Sequence, residues 1–164
     1  MLFKKSKENQ LFQACERQNP KKVKTCLDQG ATTAAANKDG STVLMIASFK
    51  GNAEIVKMLM NSGASVNVSD NDGFTPLIAA AANGNTEIIK LLTRKGAKIN
   101  ARDSNNMTAL MYTSFAGHYE TTRFLVEQGA DIHAKDNDGF TALTYASQKG
   151  HSEVIELLES YQPW

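Results

Sequence analysis

The chain has 164 residues, 41% of them hydrophobic and 21% charged, which is the composition of one soluble globular domain. Its 18 Lys and Arg residues nearly balance its 17 Asp and Glu residues, so it lacks the large basic excess expected of a nucleic-acid-binding domain. No apolar run approaches the roughly 20 residues needed to cross a bilayer.

The amino terminus is basic, but no apolar stretch follows it, so residues 1–7 do not have the pattern of a secretory signal. We therefore expect a cytoplasmic protein, unless a signal was removed from the chain beforehand. Cys15 and Cys26 occupy positions at which later segments carry small or apolar residues. This favours buried free thiols in a reducing compartment, with a disulfide between the two helices that carry them as the alternative.

The first unit predicted from the sequence covers residues 7–36 and is degenerate. Asn19 and Pro20 are the expected cap and first residue of its second helix, because proline has no amide hydrogen to lose there. Three of the next four residues are lysine, which suits a solvated outer face. A polar outer face is typical of a unit that ends a stack, so we interpret residues 7–36 as an amino-terminal cap.

From residue 37 onwards the sequence repeats with a period of 33 residues. The recurring positions are Gly51, Gly84, Gly117 and Gly150; Glu54, Glu87, Glu120 and Glu153; and Leu59, Leu92, Leu125 and Leu158. This period divides the chain into units two to five, at residues 37–69, 70–102, 103–135 and 136–164, the last being the carboxy-terminal cap. A fixed period in this range predicts a solenoid of stacked units.

Unit three shows the local pattern most clearly. Asp72 and Gly73 predict a tight turn, after which Thr75 caps a helix that begins at Pro76. Gly84 ends this first helix. A second helix follows, with apolar residues at helical spacing: Ile88, Ile89, Leu91 and Leu92. Because a unit of two short helices cannot cover its own apolar face, the units must stack.

This pattern resembles the ankyrin repeat family. In unit three the match is carried by Asp70, Gly73, Thr75-Pro76-Leu77, Ala80-Ala81, Gly84, Glu87-Ile88-Ile89, Leu91-Leu92 and Gly96-Ala97. The resemblance implies an all-α fold, an ankyrin repeat solenoid of stacked helix-turn-helix units with β-hairpin-like turns, forming a single domain over residues 1–164. It also implies a protein that binds another protein and carries out no chemistry of its own.

The chain departs from the family pattern in two ways. Where the family has His after Thr-Pro-Leu, this chain has Met45, Ile78, Met111 and Thr144, so a hydrogen-bond network that ties the family's turns together is incomplete. In unit four, Asn105-Asn106 replaces Asp-Gly, and Thr121-Thr122 replaces a branched apolar pair. We therefore predict that unit four is the least stable part of the stack.

No residue pattern predicts catalysis, a cofactor or a metal site. His118 and His151 follow the repeat's glycine, where a histidine of the family supports the turn between helices. No cysteine lies near them, and no histidine pair has the helical spacing of a zinc enzyme. The aspartate-rich segment at residues 69–73 lacks the acid that closes a calcium loop and is better explained as a turn.

The positions at which the units differ indicate a binding surface. In the fold that the resemblance implies, hairpin tips and the exposed side of each first helix form a concave face. The apolar side chains placed there without a structural need are Phe49, Phe74, Met107, Tyr112, Phe115, Phe140 and Tyr145, and the cations along their edge are Lys38, Lys50, Arg102, Lys135 and Lys149. Because aromatic side chains dominate many interfaces, we predict that this stripe binds a partner. The alternative, strongest for Phe74 and Phe140, is that the rings pack on the neighbouring hairpin.

The expected function is that of a non-catalytic protein–protein interaction module, such as a scaffold or adaptor. The first alternative is an inhibitor or antitoxin-like protein that masks the active site of a partner enzyme. The second is electrostatic binding of nucleic acid or anionic lipid, which the charge balance disfavours. We expect no cofactor, small-molecule substrate, nucleic acid or membrane partner, and a monomer in the unbound state.

Overall fold

The computed structural model describes residues 6–161, and this part of the chain forms ten α-helices. The first helix of each unit is α1 Lys7–Glu16, α3 Val43–Lys50, α5 Pro76–Ala82, α7 Ala109–Ala116 or α9 Ala142–Lys149. The second helix is α2 Pro20–Asp28, α4 Ala53–Asn61, α6 Thr86–Arg94, α8 Tyr119–Glu127 or α10 Ser152–Ser160. The only β-pairings among the described residues are two isolated bridges, Ala36 with Thr42 and Arg102 with Thr108. The predicted all-α fold is confirmed.

In units two to five the first helices begin where the sequence pattern predicts, and three of them end there; α5 instead ends at Ala82 with Asn83 as its C-cap, one residue before the predicted Gly84. Thr42, Thr75, Thr108 and Thr141 each cap a first helix by accepting the amide hydrogen of the residue three positions later. Gly51, Gly117 and Gly150 end three of these helices in the left-handed conformation that glycine tolerates best. In the first unit, Asn19 caps α2 through its side chain and Pro20 is the first helical residue, as predicted.

The helices form two rows that run along the stack. The first helices pack against one another in the order α1, α3, α5, α7, α9, and the second helices do so in the order α2, α4, α6, α8, α10. The first helices pack more closely than the second helices. The stack therefore curves, and the side formed by the first helices and the hairpins is the concave side.

One apolar core continues through all five units. The same repeat positions supply it in each unit, as with Leu59, Leu92, Leu125 and Leu158, all of which are buried. Leu44, Leu77 and Leu110 are also buried, whereas their counterpart Leu143 in unit five is half-buried. Cys15 and Cys26 belong to the core of unit one as free thiols, as the sequence predicts. Burial, followed by the nearby Cys26, raises the pKa of the Cys15 thiol to about 12.

Hairpin tips link units two to five, each to the next, through main-chain hydrogen bonds. The amides of Asn71, Ser104 and Asn137 donate to the carbonyl oxygens of Asp39, Asp72 and Asn105 at 3.0, 2.8 and 3.0 Å. Inside each tip a side chain closes the turn; one oxygen of Asp136, for example, accepts the amides of Asp138 and Phe140 at 2.9 and 2.8 Å. The aspartate-rich tips are thus turns held by their own side chains.

Unit four keeps this architecture despite its departures from the pattern. Asn106 takes the place of the turn glycine and adopts a positive φ of 60°. Thr121 and Thr122 are buried, and both hydroxyls have partners. The Thr121 hydroxyl lies 2.6 Å from that of Thr86, and the Thr122 hydroxyl donates to the His118 carbonyl at 2.9 Å. These bonds offset part of the cost of burying the two hydroxyl groups, and that cost is the reason for our prediction that unit four is the least stable unit.

Candidate interaction surface

The side chains predicted to bind a partner come from three positions of the repeat. The first position directly follows the turn glycine, which is Asn106 in unit four. It is Ser41, Phe74, Met107 or Phe140 in units two to five. The fourth residue of the first helix is Ile46, Ala79, Tyr112 or Tyr145, and the seventh is Phe49, Ala82, Phe115 or Gln148. The fourth and seventh residues share one face of a helix. The large side chains therefore collect on the concave side of units three to five, with Phe49 in unit two.

Six of these side chains, which we call the aromatic stripe, make contacts in two groups: Phe74 with Tyr112, and Met107, Phe115 and Phe140 with Tyr145. Phe74 packs edge-on against Tyr112 with 5.4 Å between ring centroids. Tyr145 packs in the same way against both Phe115 and Phe140, each at 5.8 Å. The Tyr145 hydroxyl also lies 4.0 Å from the Met107 sulfur. Contacts of this kind hold the rings in fixed positions across units three to five.

The two tyrosines of the stripe are tied to the turn aspartates of their own units. The Tyr112 hydroxyl donates to Asp103 at 2.7 Å, and the Tyr145 hydroxyl donates to Asp136. Burial and the bond to Asp136 raise the pKa of Tyr145 to about 12. Burial alone would raise the pKa of Asp136, but the bonds from Tyr145 and the turn amides outweigh burial and lower this pKa. Both tyrosines therefore fix the angle between hairpin and helix, besides presenting half-buried rings.

Two rings on the concave side are the most exposed. Phe49 is 47% exposed and Phe115 is 43% exposed, whereas the other apolar members of the predicted surface are half-buried. The Lys149 ammonium lies 4.4 Å from the centroid of the Phe115 ring, a cation–π contact. Phe49 takes part in none of the ring contacts of the described residues. The structure thus divides the predicted stripe into two connected groups in units three to five and a separate ring in unit two.

The predicted edge cations remain available to a partner, with one exception. Lys38, Lys50, Lys135 and Lys149 are exposed, and the three ion pairs of residues 6–161 all lie on second helices. Arg102 instead donates to the main-chain carbonyl of Lys135 at 2.9 Å and so links two hairpins. None of the five predicted edge cations forms an ion pair with a carboxylate of residues 6–161.

His118 and His151 each contact the preceding unit. The His118 ring lies so close to Gly84 that a Cβ on this glycine would be 2.8 Å from it, and the His151 ring lies as closely over Gly117. His151 Nε2 is 3.0 Å from the Phe115 carbonyl oxygen. Burial, followed by the neighbouring His151, lowers the pKa of His118. Within residues 6–161, no group of three or more His, Cys, Asp or Glu side chains is arranged to hold a metal ion.

The tyrosine–aspartate pairs are the feature that sequence reasoning missed. Their signal is present in the sequence: a tyrosine follows the turn aspartate by nine residues in units four and five only. Units two and three have Ile46 and Ala79 at that position and make no such bond. A structural function for two of the predicted contact residues could therefore be recognised from spacing once the hairpin geometry is known.

Comparison with known proteins places residues 11–162 in one sequence family. The family model described as ankyrin repeats (3 copies) matches residues 11–103 and 100–162. No curated protein matches the chain at a significant level. Among the described residues, none of the helices has the length and apolar character needed to cross a membrane.

Proposed function

The chain belongs to the ankyrin repeat family, and we propose that it is a non-catalytic interaction module that binds a partner protein through its concave face. Ankyrin repeats are generally protein–protein interaction modules and are typically non-catalytic. The observation that carries the proposal is the exposed ring of Phe115, held in place by Tyr145 and covered on one side by Lys149. A large ring fixed before binding loses little entropy when a partner covers it.

The fold does not explain why a ring stands at this position. The seventh residue of the first helix is Ala82 in unit three and Gln148 in unit five, and both units stack normally. Phe49 and Phe115 therefore satisfy no requirement of the repeat, and both expose apolar area to water. Exposed aromatic side chains on a concave surface are the kind of residue that dominates binding energy in protein interfaces.

The size of the surface suits a specific complex. The described chain exposes 8819 Å² in total. A standard interface covers about 800 Å² on each partner, which is about a tenth of this area. We propose that the concave side of units two to five supplies this area without help from a second copy of the chain. We accordingly propose that the unbound protein is a monomer.

Replacing the two exposed rings tests the proposal. Phe49→Ala and Phe115→Ala together should reduce capture of the native partner from a lysate of the source organism by about 30-fold, since hot-spot rings contribute about 2 kcal/mol or more. Tyr161→Ala is the matched control, because this aromatic side chain is 44% exposed at the end of α10. Quantitative mass spectrometry of the captured proteins supplies the readout. Equal capture by wild type and the correctly folded double variant would refute the concave placement.

Two further measurements distinguish a scaffold from an inhibitor, and protein binding from electrostatic binding. Assay of the captured partner with saturating protein distinguishes an inhibitor, which abolishes the partner's activity, from a scaffold or adaptor, which leaves it intact. A salt titration tests electrostatic binding of nucleic acid or anionic lipid. Binding driven by phosphate groups weakens steeply between about 50 and 200 mM salt, whereas an aromatic contact changes little.

A further inference from the structure

One position of the repeat joins each of the later units to the unit before it. It directly follows the glycine between the two helices and is Asn52, Asn85, His118 or His151 in units two to five. In units three to five this side chain covers the glycine of the preceding unit so closely that a Cβ on Gly51, Gly84 or Gly117 would lie 2.9, 2.8 or 2.6 Å from it. An amide therefore fills the junction between units two and three, whereas an imidazole fills each of the two later junctions.

The side chains at these three junctions differ in their hydrogen bonds. Asn85 Nδ2 donates to the main-chain carbonyl of Phe49 at 3.1 Å, and His151 Nε2 lies 3.0 Å from the carbonyl oxygen of Phe115, the equivalent residue of unit four. The His118 ring makes no hydrogen bond to any residue from 6 to 161. A proton added to this half-buried ring would therefore create a charge without an acceptor in the described chain, which is unfavourable.

The groups around His118 do not compensate for such a charge. Its neighbour on the side of unit five is His151, whose ring covers Gly117, the residue before His118. Helix α5 has no titratable side chain, and that of α7 is Tyr112, whose hydroxyl is bound to Asp103. The charged residues at the adjoining ends of α6, α8, α9 and α10 are exposed: Glu87, Glu120, Lys149 and Glu153. Among the groups of the described chain, the one that acts electrostatically on His118 is His151, and it opposes protonation.

We infer that His118 makes the junction between units three and four sensitive to pH, so that the junction is closed over the neutral imidazole and loosens when the ring takes up a proton. The preceding junction has Asn85 in the same place and lacks this sensitivity. The two exposed rings of the concave side, Phe49 and Phe115, lie on opposite sides of the sensitive junction, so loosening it changes their separation. This inference goes beyond the proposed function and is tested on the unbound chain.

The direction of the pH effect follows from the pKa of His118. Burial, followed by the neighbouring His151, lowers this pKa from its ordinary value of 6.5, so the folded chain takes up the proton less readily than the unfolded chain. The stability contributed by the neutral ring is fully present above about pH 6.5 and is lost as pH falls from there through the folded pKa. Carboxyl groups of ordinary pKa, about 4, stay ionised down to about pH 5.5, so a comparison of pH 7.5 with pH 5.5 isolates the imidazoles.

Titration of the imidazole signals of the full chain by nuclear magnetic resonance tests the first step. The wild-type His118 ring should titrate below about pH 6.5. His151→Asn removes the neighbouring imidazole and introduces the residue that units two and three carry at this position, so the His118 pKa should rise towards its ordinary value. A wild-type His118 that titrates at or above about pH 6.5 would overturn the inference, and this measurement needs no variant.

Amide-exchange protection factors at pH 7.5 and 5.5 test whether protonation loosens the junction. In the wild type, protection of residues 107–128 should fall at pH 5.5 by about twofold to tenfold relative to unit two; about tenfold is the limit for one group with an unfolded-state pKa of about 6.5. His118→Asn should abolish this relative loss. His133→Asn is the matched control, because His133 is exposed, and it should leave the loss unchanged.

Three results of the exchange experiment would overturn the inference. Protection of residues 107–128 that does not change between the two pH values would show that the junction is insensitive to the proton. The same relative loss in His118→Asn as in the wild type would assign the effect to another group. Equal losses in units two and four would show that the proton acts on the whole stack and not on one junction.

Discussion

At the scale of single residues, two buried hydroxyl groups stand out because they have no hydrogen-bond partner. Ser48 Oγ in α3 and Ser114 Oγ in α7 are both buried and unpaired among the described residues. They occupy the same repeat position, which is the buried Ala81 in unit three. A buried hydroxyl without a partner destabilises a fold, because it gives up its bonds to water and gains none in return.

We predict that Ser114→Ala raises the free energy of unfolding by about 1 kcal/mol, since it removes this unpaired group and leaves a residue that the repeat already uses. Urea denaturation followed by circular dichroism measures the change. Ser147→Ala is the matched control: Ser147 stands at the same repeat position in unit five but is exposed, so its replacement should leave stability within about 0.5 kcal/mol. A loss of stability in Ser114→Ala would show that the hydroxyl has a favourable partner in solution.

The bond between Tyr145 and Asp136 supports the second residue-scale prediction. Tyr145→Phe keeps the ring contacts with Phe115 and Phe140 and removes only the hydroxyl. We expect the free energy of unfolding to fall by about 1–2 kcal/mol at pH 7, the usual range for a hydrogen bond to a charged group. Tyr119→Phe is the control, because the half-buried Tyr119 makes no hydroxyl hydrogen bond within the described residues.

The same pair predicts a pH dependence. The folded-state pKa of Asp136 is lowered, so its ionised form stabilises the fold above the unfolded-state value of about 3.9, and this contribution is lost as pH falls through the folded pKa. Removing the Tyr145 hydroxyl raises the folded pKa towards the unfolded value. The stability difference between wild type and Tyr145→Phe should therefore be constant from about pH 7 to 5 and narrow below about pH 4. If the stability difference between wild type and Tyr145→Phe stayed constant down to about pH 2, the contribution of the hydroxyl would not depend on the ionisation of Asp136.

At the scale of elements, helix boundaries follow from local chemistry and could be read from the sequence. The caps at Thr75 and Asn19 and the glycines that end α3, α7 and α9 depend on a few neighbouring residues, and each lies where the pattern predicts, whereas α5 ends at Ala82 with Asn83 as its C-cap. Local chemistry does not predict which of the concave side chains are exposed and which are bonded within the stack. Whether Tyr112 reaches solvent or Asp103 depends on the angle between hairpin and helix, which is a property of the assembled unit. The exposure of Phe115 depends likewise on its neighbours in units three and five.

Unit four supports a prediction about one whole element. Asn106 holds a positive φ of 60°, where glycine would be free of side-chain strain. Asn106→Gly should stabilise unit four by about 0.5 kcal/mol, although it removes an exposed hydrogen bond to the Asn137 side chain that water can replace. Native-state amide exchange should show slower exchange for residues 107–128.

The neighbouring residue provides the control for this change. Asn105 does not have a positive φ, so Asn105→Gly should lower stability by increasing the freedom of the unfolded chain. The same exchange data test our prediction that unit four is the least stable unit. Wild-type protection of residues 107–128 at or above that of units two and three would contradict it, and would mean that the bonds made by Thr121 and Thr122 fully compensate for the missing apolar groups.

At the scale of the whole molecule, positions shared by the units and positions that differ serve separate purposes. Shared positions such as Leu92 build the continuous core, and shared glycines such as Gly84 make room for a side chain of the next unit. Differing positions on the concave side are free of these demands, so rings at 49 and 115 and an alanine at 82 are compatible with one fold. The stack therefore gives a surface whose shape changes by substitution in single units without a change of architecture.

In such a stack, the consequence of a core substitution depends on the unit in which it is made. Leu92 and Leu158 occupy the same repeat position and are both fully buried, so Leu→Ala removes the same buried atoms and destabilises by about 2–5 kcal/mol in each case. Unit five has one neighbour in the described stack, and its Leu143 and Ile155 are half-buried. Leu158→Ala should therefore let unit five open alone, with fast amide exchange confined to residues 136–161 and unchanged protection in units two and three. Leu92→Ala lies between two interfaces and should instead lower protection on both sides of unit three. Uniform loss of protection along the whole stack in both variants would contradict this prediction. It would show that the five units unfold together, whichever unit carries the substitution.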